Sequence, residues 1–199
     1  MAKRSAKADK KSQRGRLRIV AGNWRSRLLD IADVPGLRPT SERIRETLFN
    51  WLTPRIAGTR CLDLFAGTGA LGLEALSRGA ASAVFVENSA IAANTLRKSI
   101  AALDTDAAKV YETEAFGFLV DVDCGEFDLV FLDPPFADDR LGDLCRLLQK
   151  QSILAADASV YLEEDSSRPV LELPDGWQTL KTGNAGRVRY SLVRVRTNS

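Results

Sequence analysis

The 199-residue chain contains no histidine. Imidazole acid–base catalysis, histidine-based triads and histidine-ligated metals are therefore excluded, and no metal is expected. Cysteine is scarce. Cys61, Cys124 and Cys145 are odd in number and widely spaced, which fits neither a zinc site nor a disulfide framework, so they read as reduced thiols of a cytoplasmic protein. No apolar run approaches the roughly 20 residues that a bilayer-spanning helix needs. The basic N-terminus is followed by no apolar stretch of the secretory kind. Neither a membrane nor an obligate oligomer is expected, so the protein reads as a monomer. What is present is ordinary for a globular protein: 45% hydrophobic and 27% charged residues. That is enough to bury a core in one domain with an appendage, or at most in two small domains.

The net charge of +2 hides an asymmetry. Residues 1–60 hold 15 Lys/Arg against 5 Asp/Glu, whereas residues 61–199 hold 13 against 21. A basic head on an acidic body predicts a polyanionic partner gripped by the head. Residues 1–14, MAKRSAKADKKSQR, carry no periodicity and read as a disordered basic arm.

The stretch 17–31, LRIVAGNWRSRLLDI, predicts two short strands around a turn at Gly22 and Asn23, decorated by Arg18, Arg25 and Arg27. Thr40 or Ser41 then caps a helix from about Glu42 to Leu52, stopped before Pro54. Ile44, Leu48, Phe49 and Leu52 share its apolar face, with Arg43, Arg45 and Glu46 assigned to the other. From Arg60 onward strands and helices alternate: RCLDLF, ALGLEALSRG, SAVFVE, SAIAANTLRKSIAAL, AKVYE, a short helix over 115–120, FDLVFLD, RLGDLCRLLQK and ASVYLEE. Repeated βα units predict an α/β fold, a mostly parallel sheet with helices on both faces. WQTLKTG and RVRYSLVRV have no helix between them, which predicts an antiparallel hairpin at one edge.

Gly67, Gly69 and Gly72 fall between a strand and a helix in DLFAGTGALGLEAL. The G-x-G-x-x-G spacing is weak evidence alone. Glu87, 20 residues after Gly67, ends the next strand and could accept both ribose hydroxyls of an adenosine. NAD is the first candidate, but Asp63 stands just before the loop, where a pyrophosphate would want no negative charge. A carboxylate there suits a cofactor bearing an amino group and a sulfonium. Asp63 could instead be a loop cap, and the glycines could serve tight packing only.

LVFLDPPF ends a buried strand on Asp133, Pro134, Pro135 and Phe136. Ligands gather at the carboxyl ends of strands in open α/β sheets. Neither proline has an N–H, so the turn offers acceptors and no donors. The Asp133 carboxylate and the Pro134 carbonyl together suit a planar NH₂ group, and Phe136 offers a face for a base to stack on. Accepting from both N–H groups favours a pyramidal nitrogen and frees its lone pair for a sulfonium methyl. Alignment and electrostatic support then suffice, without a strong base or a metal. The base must be unpaired or flipped out to reach the turn.

These residues resemble those of class I S-adenosylmethionine-dependent methyltransferases, and DPPF is similar to the [D/N]-P-P-[Y/F/W] motif of enzymes that methylate amino nitrogens. LRIVAGNWRSRLL, GLRPTSERIRETLFNWL and CLDLFAGTGALGLEALSRGA further resemble the RsmD family, the bacterial 16S rRNA (guanine-N2)-methyltransferases, over about residues 16–195. The resemblance implies a Rossmann-like, seven-stranded sheet with an antiparallel C-terminal hairpin. It divides the chain into the arm at 1–14, an RNA-facing hairpin and helix over 15–55, and an S-adenosylmethionine-binding domain over 56–199. Asp63, Gly67 and Gly69 would line the methionine end of the cofactor, with Glu87 on the ribose and Glu114 or Ala115 at the adenine. Phe65, Asn88 and Asp133 would also bind the cofactor. Asp133, Pro134, Pro135 and Phe136 would hold a guanine. Arg38, Thr40, Arg43 and Arg45 would form an RNA-facing strip near the cofactor mouth, supplemented by Arg18, Arg25 and Arg27. The implied partner is 16S rRNA within a 30S assembly intermediate. A DNA or RNA adenine-N6 methyltransferase and a glutamine-side-chain methyltransferase share the loop chemistry. The first, on DNA, would want a separate target-recognition domain, and the second no basic head. A non-enzymatic RNA-binding module gives no reason for Asp63, Glu87 and Asp133 to occur together.

Overall fold

A computed structural model describes residues 15–35, 37, 39–121 and 125–196. The arm at 1–14, Arg38 and Cys124 lie outside the described residues. A short hairpin, β1 (Arg16–Arg18) and β2 (Leu28–Asp30), precedes helix α1 (Glu42–Leu52). The Ser41 hydroxyl caps α1 by accepting from the Ile44 amide at 3.3 Å. Alternation then follows through β3 (Arg60–Asp63), α2 (Ala70–Ser77), β4 (Ser82–Glu87), α3 (Ala90–Ala102), β5 (Ala108–Glu112), α4 (Ala115–Asp121), β6 (Phe127–Leu132), α5 (Leu141–Lys150) and β7 (Leu154–Asp165), and the chain closes with β8 (Trp177–Ala185) and β9 (Val188–Val195).

Seven strands form one sheet in the order β5-β4-β3-β6-β7-β9-β8. The first five are parallel, and β9 pairs antiparallel with both β7 and β8. The second strand of the terminal hairpin is thus inserted, and the first forms the edge. Hydropathy decides which: β9 buries Tyr190, Leu192, Val193 and Val195, while in β8 only Trp177 is buried. Strand order reverses between β3 and β6, which opens a crevice at their carboxyl ends.

The central strand β6 shows why the sheet is covered on both faces. Leu129 and Phe131 join one core cluster, and Val130 and Leu132 join the other. Phe131 is fully buried, and its truncation to alanine should cost about 3–5 kcal/mol. The first cluster also contains Leu17, Ile19, Leu29, Ile44, Leu48, Phe49 and Leu52 from the N-terminal segment. That segment therefore shares a core with the sheet.

The hairpin loop is fastened to α2 by polar groups. Gly22 has φ +83°, and a Cβ there would lie 1.8 Å from the Ser77 carbonyl oxygen, so only glycine fits. The Ser77 carbonyl accepts from the Asn23 amide at 2.7 Å, and the Ser77 hydroxyl donates to the Ala21 carbonyl at 2.5 Å. The buried Glu74 accepts from the Val20 and Ala21 amides at 2.8 and 3.0 Å.

Candidate active site

Asp63 ends β3 with its carboxylate buried and accepts from the Gly72 amide at 3.0 Å. The chain then turns sharply into α2. Gly69 makes the turn at φ +74°, and a Cβ there would come within 2.5 Å of Leu96. At Gly72 the obstacle would be the Phe85 ring, 2.3 Å away, so this glycine sets how closely α2 approaches the sheet. Glu87 ends β4. One of its oxygens accepts from the Gly67 amide at 2.8 Å and the other from the Ser89 amide at 2.7 Å. The loop and the strand end that the sequence places 20 residues apart are therefore tied directly to each other.

These elements wall a cavity of about 520 Å³, within the range of sites for drug-sized ligands. Asp63, Phe65, Gly67, Glu87, Asn88, Glu114, Ala115 and Asp133 all line it. Gly69 shapes the turn behind its wall. The Asn88 amide donates to Glu114 at 3.1 Å on the exposed rim. Among the described residues the buried Thr68 hydroxyl has no hydrogen-bond partner, and it also faces the cavity. An orphaned buried polar atom beside a cradle of carboxylates fits a ligand with several hydroxyl and amino groups, and S-adenosylmethionine has both.

The loop after β6 forms the opposite wall. Asp133, Pro134, Pro135 and Phe136 line the cavity, Pro134 buried and Phe136 half-buried. The Thr40 hydroxyl, from the segment leading into α1, donates to the Asp133 carboxylate at 3.3 Å. Beside it, at the end of β7, lies Glu163, which is buried and accepts from the Tyr161 hydroxyl at 2.7 Å. Glu163 and Tyr161 did not figure among the residues expected at the site. The available signal was YLEE at a strand end, where residues two apart share a face.

Four carboxyl groups thus converge at the ends of β3, β4, β6 and β7. Among the described residues none of the ion pairs involves them. Burial, then the charges of Asp133 and Glu87, pushes Asp63 up to about 7. Burial pushes Asp133 up to about 6, even though part of the residue opens onto the cavity. Burial, then Asp133, raises Glu163 to about 8. Such a pocket favours a cation and hydrogen-bond donors.

The arginines divide. Arg45, expected on the RNA-facing strip, is 2% exposed. Its guanidinium bonds Glu74 at 3.3 Å and the Thr40 carbonyl at 3.3 Å. The expectation fails because Arg45 stands three and four residues before Leu48 and Phe49, on the buried face of α1. Arg43 is exposed. Arg18 is exposed and paired with Glu42. Arg25 and Arg27 are exposed in the hairpin loop, which docks at the C-terminal end of α2. The cavity lies at the other end of that helix, about 12 Å away at 1.5 Å per residue. Thr40 lies on the cavity wall.

The strand order, the switch-point crevice and the acceptor-only turn beside a glycine cradle define a class I methyltransferase. The family model described as conserved hypothetical protein 95 matches residues 17–194. Ribosomal RNA small subunit methyltransferase D of Escherichia coli (strain K12) is 42% identical over 180 residues, 90% of each chain. The protein of the same name from Haemophilus influenzae is 40% identical over 184 residues, covering 91% of this chain and 95% of that one. The solved structure of yhhF from Escherichia coli has a TM-score of 0.83 at 40% identity, covering 92% of this chain and 99% of its own. The chain belongs to this family, that of ribosomal RNA small subunit methyltransferase D.

Proposed function

We propose that the protein transfers a methyl group from S-adenosylmethionine to the exocyclic N2 of one guanine in 16S rRNA. The observation that carries this reading is the placing of Asp133–Phe136 on the wall of the cavity that Gly67, Glu87 and the orphaned Thr68 hydroxyl also line. Family membership supplies ribosomal RNA as the substrate class. When bound, the cofactor supplies a methyl group on a sulfonium, already activated toward a nucleophile.

The protein's own groups do the rest. Each Glu87 oxygen has spare acceptor capacity beyond its bond to a backbone amide and takes a ribose hydroxyl. Asp63, on the cavity wall, would supply negative charge to the sulfonium and amino end. The buried Ala115 gives the adenine an apolar floor, with Asn88 and Glu114 at the rim. Asp133 and the Pro134 carbonyl would each accept one N–H of the guanine amine, which would withdraw its lone pair from the ring and turn it toward the methyl. As the N–CH₃ bond forms the S–CH₃ bond would break, S-adenosylhomocysteine would leave, and the surplus amine proton would be lost to solvent. Phe136 stacks on the base and contributes about 1–3 kcal/mol.

Arg43 and Arg18 near the start of α1, with the basic residues of 1–14, contact phosphates and position the RNA, while the pocket selects the base. The substrate is 16S rRNA in a partly assembled 30S particle, and the protein acts on it as a cytoplasmic monomer. The test is mass spectrometry of 16S rRNA fragments from cells lacking the gene, complemented with the wild type or with Asp133→Ala. Methylguanine should return with the wild type alone. Full methylation by the variant would overturn the reading.

A further inference from the structure

Asp133 can accept hydrogen bonds from an amine only while it is ionised and correctly turned. Burial opposes the first condition, and a strand-end loop does not by itself guarantee the second. The groups around it bear on both. Thr40 Oγ1 donates to Asp133 Oδ2 at 3.3 Å, and Glu163 lies near enough to feel both the Thr40 hydroxyl and the Asp133 charge. Tyr161 Oη donates to Glu163 Oε1 at 2.7 Å, which leaves Oε2 for a proton. Glu163 is 4% exposed, and among the described residues no cation pairs with it. The titratable groups facing it are Asp133 from β6, Tyr161 on its own strand and Tyr190, its register partner on β9. Arg140, Arg146 and Arg168 share a second cavity with it, beside Glu164 and Asp165, without pairing to it.

We infer that Glu163 is a positioning residue for Asp133: it holds one proton at the back of the loop and, through Thr40, keeps the Asp133 carboxylate ionised and fixed as an acceptor. The inference rests on the reading of Asp133 as the amine acceptor. Each group then makes one donation. Tyr161 gives to Glu163, protonated Glu163 gives to the Thr40 oxygen, and Thr40 gives to Asp133. Two buried carboxyls share one negative charge, and the charge falls on the member facing the cavity. Loss of the Glu163 proton would set two carboxylates competing for the single Thr40 hydroxyl hydrogen. The ordering of the two groups agrees, since Asp133 is raised to about 6 and Glu163 to about 8.

Methylation of 30S subunits isolated from cells lacking the gene tests this. Glu163→Ala should lower kcat by about tenfold or more with KM for S-adenosylmethionine little changed, and Glu163→Gln, a neutral isostere able to donate to Thr40, should restore it to within about threefold. Wild-type kcat should fall above about pH 8, and that alkaline limb should vanish in Glu163→Gln. In Tyr161→Phe it should move to higher pH, because a donor that favours the Glu163 anion is gone. The free protein gives an independent readout. The melting temperature of Glu163→Gln relative to wild type should rise from pH 5 to pH 8, since only the wild type must retain a proton that solvent no longer supplies. A Glu163→Gln variant as slow as Glu163→Ala, an alkaline limb that survives the substitution, or a melting difference independent of pH would each overturn the inference. Turnover by Asp133→Ala would instead remove the reading beneath it.

Discussion

Glu74 is a fully buried carboxylate and Asp133 a half-buried one, and their surroundings are opposite. Glu74 lies between two guanidiniums, Arg45 at 3.3 Å and Arg78 at 2.8 Å, and accepts from two backbone amides as well. Every bond it makes joins parts of the scaffold: the hairpin loop, α1 and α2. Asp133 and its neighbours Asp63, Glu87 and Glu163 have amides and hydroxyls about them but, among the described residues, no ion pair. An unpaired buried charge costs several kcal/mol. A structure that needed only stability would not gather four carboxyl groups without a counter-ion at the ends of neighbouring strands. The difference teaches that burial alone does not mark a site; burial without a counter-ion, facing a cavity, does. Thr40 joins the two regions, since Arg45 holds its carbonyl and its hydroxyl touches Asp133.

If this contrast is right, substitutions on the two sides should separate activity from stability. Asp133→Ala is expected to lower kcat by about a thousandfold or more, while S-adenosylmethionine affinity measured by calorimetry stays within a few-fold. Loss of cofactor binding instead would place Asp133 on the scaffold side. Glu74→Ala should do the reverse. It leaves the buried Arg45 guanidinium without its counter-ion and removes that of the half-buried Arg78, and should cost about 3–5 kcal/mol in denaturant unfolding, with kcat of the folded fraction less affected. Arg45→Met sharpens the link between the regions: a smaller loss of stability, about 1–3 kcal/mol, accompanied by a several-fold drop in kcat as Thr40 loosens. A variant that lost stability but no activity would show that Thr40 needs no such hold.

Asp63 offers a pH test of the unpaired cluster. Its folded value near 7 stands above its ordinary 3.8. A cationic ligand selects the ionised form, so affinity should fall up to about tenfold for each pH unit below 7 and level off above it. Asp63→Asn should flatten that dependence. The unfolded chain releases this proton first, so stability of the free protein should also decline as pH rises from about 4 to about 7. The smallest effects concern the surface. Arg43→Ala should reduce the salt slope of RNA binding by about one, and Arg25→Ala should change methylation little, because its loop docks far from the cavity. Equal losses from the two would mean that the RNA wraps the whole hairpin.

Much of the fold and of the cavity was legible along the chain. Strand–helix alternation from Arg60 onward sets each element within a few residues of where it lies, because periods of 2 and 3.6 are local properties of a chain. Asp63, Gly67, Glu87 and Asp133 were legible for a related reason: each ends a strand or begins a turn, and a parallel sheet brings such ends to one edge. Arg45 was misread, since an arginine on a helix looks like surface until a buried acid on another element supplies its partner. Glu163 and Tyr161 were missed because β7 is separated from β6 by the α5 crossover, and nothing local in its sequence signals that it will end beside Asp133.

The sequence by itself determined the βα order, the glycine turn, the donor-free loop and the basic head, all of which follow from steric and hydrogen-bonding rules acting over a few neighbouring residues. Only the tertiary structure decided which buried charges are neutralised and which are left for a ligand. That outcome depends on contacts between residues tens of positions apart, such as Glu74 with Val20 and Thr40 with Asp133, and electrostatics inside a protein is set by what stands nearby in space.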